Sequence, residues 1–219
     1  MNRKLTVICL VRHGETVWNL EGRMQGRENV PMNETGRAQA RACAAAFAAA
    51  KEKHGIIWDS VFASPLDRAV ETGTFIAHAL GLPDPEKTSH LNERDFGKYS
   101  GLSYYDYAVA THSEDFDRSQ LESEESMKER IYAFARQIHE AAPGSRVIGV
   151  THGGVVKTLG KIEEKAPGVE YYEGAHNCCI NVYTFDGEKL LLWAFNLKGE
   201  EYVTACAEIF EKIGSADAV

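Results

Sequence analysis

The 219-residue sequence has no apolar stretch long enough to cross a membrane, no surplus of positive charge and no cysteine pair at metal-ligand spacing. Its alanine-rich stretch, ACAAAFAAA at 42–50, falls far short of the roughly 18 apolar residues that a membrane helix needs, and reads as an ordinary helix. The apolar run behind MNRK spans only residues 5–11, lacks a small-residue cleavage pattern and runs straight into Arg12, so neither a targeting leader nor a membrane partner is expected. Acidic residues outnumber basic ones by 32 to 24, a formal net charge of -8, which works against non-specific binding to nucleic acid. Any anion must therefore be held by a local cluster of cations. The five cysteines, Cys9, Cys43, Cys178, Cys179 and Cys206, are odd in number and scattered, which suits a reducing, cytoplasmic setting. Adjacent Cys178 and Cys179 would face opposite sides of a strand, an argument for packing over a disulfide. Internal repeats and low-complexity tracts are also absent.

What is present is an alternation of two hydrophobic periods, the pattern of an α/β fold. At 44% hydrophobic and 26% charged, residues 1–219 read as one domain. The expected architecture is a mostly parallel open sheet flanked by helices on both faces. Leu5–Val11 reads as a strand buried on both faces. Asn33 caps a helix through about Lys53. WDSVFAS at 58–64 is a second strand, after which Ser64 as cap, Pro65 at the first helical position and Asp67 in a capping box start a helix to Leu80. KTSHL at 87–91 is a short strand. Residues 98–128 break the rhythm, being aromatic and then acidic, and read as a cap inserted over the C-terminal ends of the strands; the acidic run 113–129 reads as a solvated face. A helix from Met127 to Ala142, a strand RVIGV at 146–150 and a helix after HGG follow. CCINVYTF and KLLLWAF form a hairpin around Asp186-Gly187. A final helix over EEYVTACAEIFEKI leads to a frayed tail, GSADAV.

Three strands end in the same punctuation: LVRHGE, FASPLDRA and GVTHGG. Ligands of open α/β sheets bind beyond the carboxyl ends of the strands, so Arg12, His13, Arg68 and His152 should meet there. Arg68 would sit in the first turn of a helix, where the dipole disfavours a cation by a few tenths of a kcal/mol, so something negative should repay it. Gly153 and Gly154 leave backbone N–H groups open at another helix start. Together these make a box for a tetrahedral oxyanion, most simply phosphate. His13, amid positive charge, would keep its lone pair and could attack phosphorus. Glu93, in HLNERDFG, could give the leaving oxygen a proton and later recover it.

RHGETVWN with GRMQG, SPLDRAVET, LNERDFG and VTHGGV resemble, in order and over nearly the whole chain, the motifs of the histidine phosphatase superfamily, or phosphoglycerate mutase-like family. The resemblance implies a phosphohistidine on His13, with Arg12, Arg68 and His152 gripping phosphoryl oxygens, Asn19 assisting and Glu93 as proton donor and acceptor. Thr16, Gln25, Gly26 and Gly153 fall at positions that touch substrate. It implies two in-line displacements with no metal or other cofactor, the cationic side chains taking the metal's place. A small phosphorylated substrate is expected, and family members are often dimers or monomers.

Structural roles are open to several of these residues as well. Asn19 can cap a local turn, and His54, His78, His90, His112, His139 and His176 lack a catalytic context. Asn29-Val30-Pro31-Met32-Asn33 stands where many phosphatases read Asp-x-Pro-Leu-Thr, and SEES ahead of Met127 only partly matches Pro-x-Gly-Glu-Ser, so the cap should be built differently. The mutase's longer insertion, with basic and proline-rich stretches for a substrate carboxylate, is missing from the acidic 98–128 segment. A metal-independent phosphomonoesterase is therefore the expected activity. The alternatives are a phosphoglycerate mutase, a phosphate-binding regulatory protein without catalysis, and, with least support, a metallohydrolase.

Overall fold

The first strand, β1 (Thr6–Arg12), is buried from Thr6 to Val11, as its lack of charge and of a polar face requires. The structure, a computed structural model, describes residues 4–217. Alternate β1 side chains enter different cores. Val7, Cys9 and Val11 pack with α2 (Glu34–His54), α3 (Asp67–Leu80) and α7 (Gly199–Asp217). Ile8 and Leu10 pack with α5 (Glu124–Ala141) and α6 (Gly153–Ile162). The helices thus cover both faces of a mixed seven-stranded sheet, made of β1, β2 (Ser60–Ala63), β3 (Glu86–Lys87), β4 (Arg146–Thr151), β5 (Glu164–Lys165), β6 (Ile180–Phe185) and β7 (Leu190–Leu197). Their order across the sheet is β3-β2-β4-β1-β6-β7-β5. Pairings are parallel except where β6 meets β1 and β7.

Asn33 caps α2 as expected, its side chain accepting from Gly36 N at 2.8 Å. The start of α3 differs from expectation: it begins at Asp67, not Pro65. Ser64 Oγ accepts from Leu66 N at 3.4 Å, ahead of the helix, while its hydroxyl donates to Asn92 Oδ1 at 3.0 Å. Asn29 supplies the missing cap from 38 residues upstream, accepting from Asp67 N at 2.9 Å. The third expected strand is shorter, since only Glu86–Lys87 pair and Ser89–Leu91 turn into a 3-10 helix. Cys178 and Cys179 lie in opposite cores, but in the turn before β6 and not within it. The final helix runs through Gly214 to Asp217, whose carboxylate accepts from Leu5 N at 2.7 Å and ties the helix to the residue before β1; the last two residues of the expected tail lie outside the described residues.

Residues 98–128 contain a short helix, α4 (Tyr104–Ala110), after α1 (Val17–Leu20) in chain order, and their Tyr99, Tyr107 and Phe116 cluster with Phe96 just ahead of the segment. The segment pairs with the loop after α1: Met24 N donates to Leu102 O at 2.8 Å, Gly101 N to Met24 O at 2.7 Å and Tyr104 N to Gly22 O at 2.7 Å. The acidic run is not uniformly solvated. Glu122 is largely buried, its carboxylate accepting from Arg130 Nε at 2.8 Å.

Candidate active site

Because β1 and β4 run parallel and adjacent, their carboxyl ends bring Arg12-His13 beside Thr151-His152. His13 N donates to Thr151 O at 3.0 Å, and the two imidazole centroids are 5.1 Å apart. Both histidines are buried. His13 Nδ1 is 2.7 Å from Gly14 O and Nε2 is 3.2 Å from Arg68 Nε. A carbonyl only accepts and a guanidinium only donates, so the proton sits on Nδ1 and the lone pair on Nε2. Burial first, then the charges of Arg68 and Arg12, holds His13 well below the ordinary imidazole pKa, against the opposing pull of the Gly14 carbonyl. Burial and neighbouring cations also keep His152 neutral. Neither ring nitrogen of His152, nor Arg12 Nε, has a hydrogen-bond partner among the described residues, although all three are buried.

Arg68 is fully buried in the first turn of α3. Its fork donates to Glu28 O at 2.6 Å and Gly26 O at 2.9 Å while Nε reaches His13. Carbonyl oxygens thus supply part of the negative partner that its place at a helix start demanded. Burial lowers its pKa to about 10, which leaves it charged at neutral pH. Glu93 approaches from the loop after β3, Oε2 accepting from Gly154 N at 3.1 Å and Oε1 from Arg94 N at 2.8 Å. A Cβ at 154 would lie 2.4 Å from Glu93 Oε1, so any side chain there would displace the Glu93 carboxylate.

A cavity of ≈ 330 Å³ opens at these strand ends. Arg12, His13 and Glu93 line it, with Asn19, Gln25, Gly26 and Gly153. Arg68, His152 and Thr16 are not on its wall; they stand behind it, bonded or packed against residues that are. Asn19 does form the local cap that its position after a strand allowed: its Oδ1 accepts from Thr16 N at 3.2 Å while its own N donates to Thr16 Oγ1 at 3.2 Å. Asn177 Nδ2 also donates to that Oδ1, at 3.3 Å, so what Asn19 can offer the cavity is its amide N–H₂. Thr16 Oγ1 donates to Gln25 Oε1 at 2.9 Å and likewise turns the Gln25 amide outward. The other six histidines are absent from the wall.

The sequence reading missed Arg23, Lys157, Phe96 and Tyr104, which also line the cavity, and Asn177, which donates to His13 O at 3.0 Å. Lys157 was findable, since it lies four residues beyond Gly153 on the same helical face. Asn177 carried no local signal. Among the described residues no group of three or more His, Cys, Asp or Glu is disposed to hold a metal ion, and no helix is long and apolar enough to cross a membrane.

Residues 8–198 match the histidine phosphatase superfamily (branch 1). The chain is 30% identical over 195 residues to an uncharacterized phosphatase, PhoE, of Bacillus subtilis, covering 88% of this chain and 95% of that one. It is 34% identical over 167 residues to a metal-independent phosphoserine phosphatase of Arabidopsis thaliana, covering 71% and 68%. The crystal structure of a phosphoglycerate mutase from Bacillus anthracis shares the fold, with TM-score 0.73 at 21% identity, covering 93% of this chain and 97% of that one.

Proposed function

This chain belongs to the histidine phosphatase superfamily, and we propose that within it the protein is a phosphomonoesterase acting on a small phosphorylated metabolite through a phosphohistidine on His13. The observation that carries the reading is the state of the two histidines and Arg12. His13 Nε2 holds a lone pair among cations, and Arg12 Nε and both His152 nitrogens are buried without partners. Leaving a buried donor unpaired costs about 1–3 kcal/mol, a cost that phosphoryl oxygens would remove at Arg12 Nε and at the protonated nitrogen of the neutral His152 ring.

In the proposed cycle, His13 Nε2 attacks phosphorus and the bond to the alcohol oxygen breaks, with Glu93 giving its proton to the departing alkoxide. Water then attacks the phosphohistidine, Glu93 takes the water proton, the N–P bond breaks and phosphate leaves. Arg12 and Arg68, together with the Gly153 amide at the start of α6, meet the charge on the phosphoryl oxygens, and His152 supports them from behind the cavity wall; the Gly154 amide, expected from the sequence to be open, is instead taken by Glu93. Asn19 and Gln25 present amide donors to the substrate beside the Gly26 turn. Thr16 acts through both, as the hydroxyl that fixes their orientation.

Cation chemistry of this kind calls for no metal. Residues 98–128 act as the cap of a single domain, supported by their hydrogen bonds to residues 22–24 and by Tyr104 on the cavity wall. A reducing, cytoplasmic setting is supported by five free, buried cysteines. A homodimer is the other expectation carried forward, and sedimentation equilibrium decides it.

Hydrolysis of phenyl phosphate with chelator present, beside a His13→Ala variant and a phosphoglycerate exchange assay, tests the proposal. Chelator-resistant hydrolysis that vanishes in the variant, without exchange, supports it. Exchange dependent on a bisphosphate primer, without hydrolysis, would make the protein a mutase.

A further inference from the structure

We propose that Arg23 and Lys157 form a second anion subsite in the cavity, taking a carboxylate or second phosphate on the alcohol portion of the substrate. The inference rests on the phosphatase reading, but its binding test does not. Three cations line the cavity, Arg12, Arg23 and Lys157, against one carboxylate, Glu93. Arg12 and Glu93 belong beside the reacting phosphoryl group. Arg23 and Lys157 have no part in the proposed transfer, and they stand in a concave site of a chain whose net charge is -8.

Arg23 is held in a fixed pose. Its Nε donates to Gly101 O at 2.9 Å, its guanidinium lies 4.3 Å above the Trp18 ring centre, and Nη1 meets Glu21 at 3.3 Å. Nη2 is the end left uncommitted among the described residues. A guanidinium oriented in advance loses little entropy on taking an anion. Lys157 enters from α6, exposed and without an ion-pair partner among the described residues. The cationic residues that position this subsite come from the loop after α1 and from α6, not from residues 98–128. Phe96 and Tyr104 also line the cavity, whose ≈ 330 Å³ suits a small metabolite. An uncharged alcohol would leave Lys157 without a counterpart and Arg23 with only the half-exposed Glu21 carboxylate beside it.

Matched pairs of phosphomonoesters read the subsite directly: 3-phosphoglycerate against glycerol 3-phosphate for a carboxylate, and fructose 1,6-bisphosphate against fructose 6-phosphate for a second phosphate. Binding is measured by calorimetry on His13→Ala protein, where turnover is removed, and kcat/KM on the unmodified enzyme. The expected result is a preference of about tenfold or more, near 1.4 kcal/mol, for the doubly anionic member of one pair. That pair identifies the second anion. Lys157→Gln and Arg23→Gln should each shrink the ratio, and 0.5 M salt should shrink it further because the cations are solvent-facing. Ratios near one in both pairs, or ratios that survive both substitutions, would overturn the subsite. Absence of hydrolysis for every ester, with the binding preference intact, would instead defeat the phosphatase reading and leave the subsite standing.

Discussion

Replacing Arg68 by lysine keeps the charge and removes the fork, which separates the two tasks of this side chain. The guanidinium donates at once to His13 Nε2, Gly26 O and Glu28 O. A lysine ammonium at the end of its stem can satisfy one of these. At least one buried carbonyl of the 26–28 loop then loses its donor, at about 1–3 kcal/mol for each such group. Lysine recovers none of this through easier burial, since an ammonium is hydrated more strongly than a guanidinium. The sum is a loss of about 2–4 kcal/mol in stability, or roughly 4–16 °C in Tm for a chain of this size. His13 also loses the donor that orients Nε2, and the transition state loses a preorganised partner, so kcat/KM should fall roughly 10²- to 10³-fold. Thermal unfolding by circular dichroism and aryl phosphate hydrolysis measure the two effects on one preparation. A variant that melts within about 1 °C of the parent and keeps its kcat/KM would refute the role of the fork.

Other expectations follow from single contacts. Gly154→Ala should push Glu93 aside, because the new Cβ would lie 2.4 Å from Oε1; kcat for esters with poor leaving groups should fall about tenfold or more while Tm changes little. His13 and His152 are held neutral in the fold, so below pH 6.5 the unfolded chain binds more protons. Stability present above that pH should fall by about 1.4 kcal/mol per unit for each histidine as pH drops, which denaturant titrations at several pH values would measure. For the same reason the acid limb of kcat/KM assigned to His13 should lie below 6.5, and a limb above it would contradict the buried neutral imidazole. Inorganic phosphate at about 100 times its Kd should stabilise the protein by about 2.7 kcal/mol, visible as a higher Tm, and the effect should be lost in Arg12→Ala.

The outline of the fold was legible because its signals are local. An uncharged run from Leu5 to Val11 can only be a strand covered on both faces, and Asn33 ahead of an alanine-rich helix announces its own cap. Arg12, His13, Arg68 and His152 were legible as a meeting point because parallel strands place their ends together. What failed depended on distant partners. Ser64 looked like a cap but bonds Asn92, and Asn29 caps α3 from far upstream. Arg68 was read as a ligand for phosphate alone, whereas its fork is also committed to the 26–28 carbonyls. Arg23 and Lys157 join the cavity only because the chain folds the loop after α1 and the second turn of α6 toward the same space.

The most direct test of the central claim is to trap the covalent intermediate by mixing the protein with excess phenyl phosphate in chelator, quenching in alkali within milliseconds and locating the modification by mass spectrometry. The account predicts an acid-labile phosphoryl group on His13, absent from His13→Ala. Rapid turnover with no label on His13, or turnover that persists in His13→Ala, would contradict it.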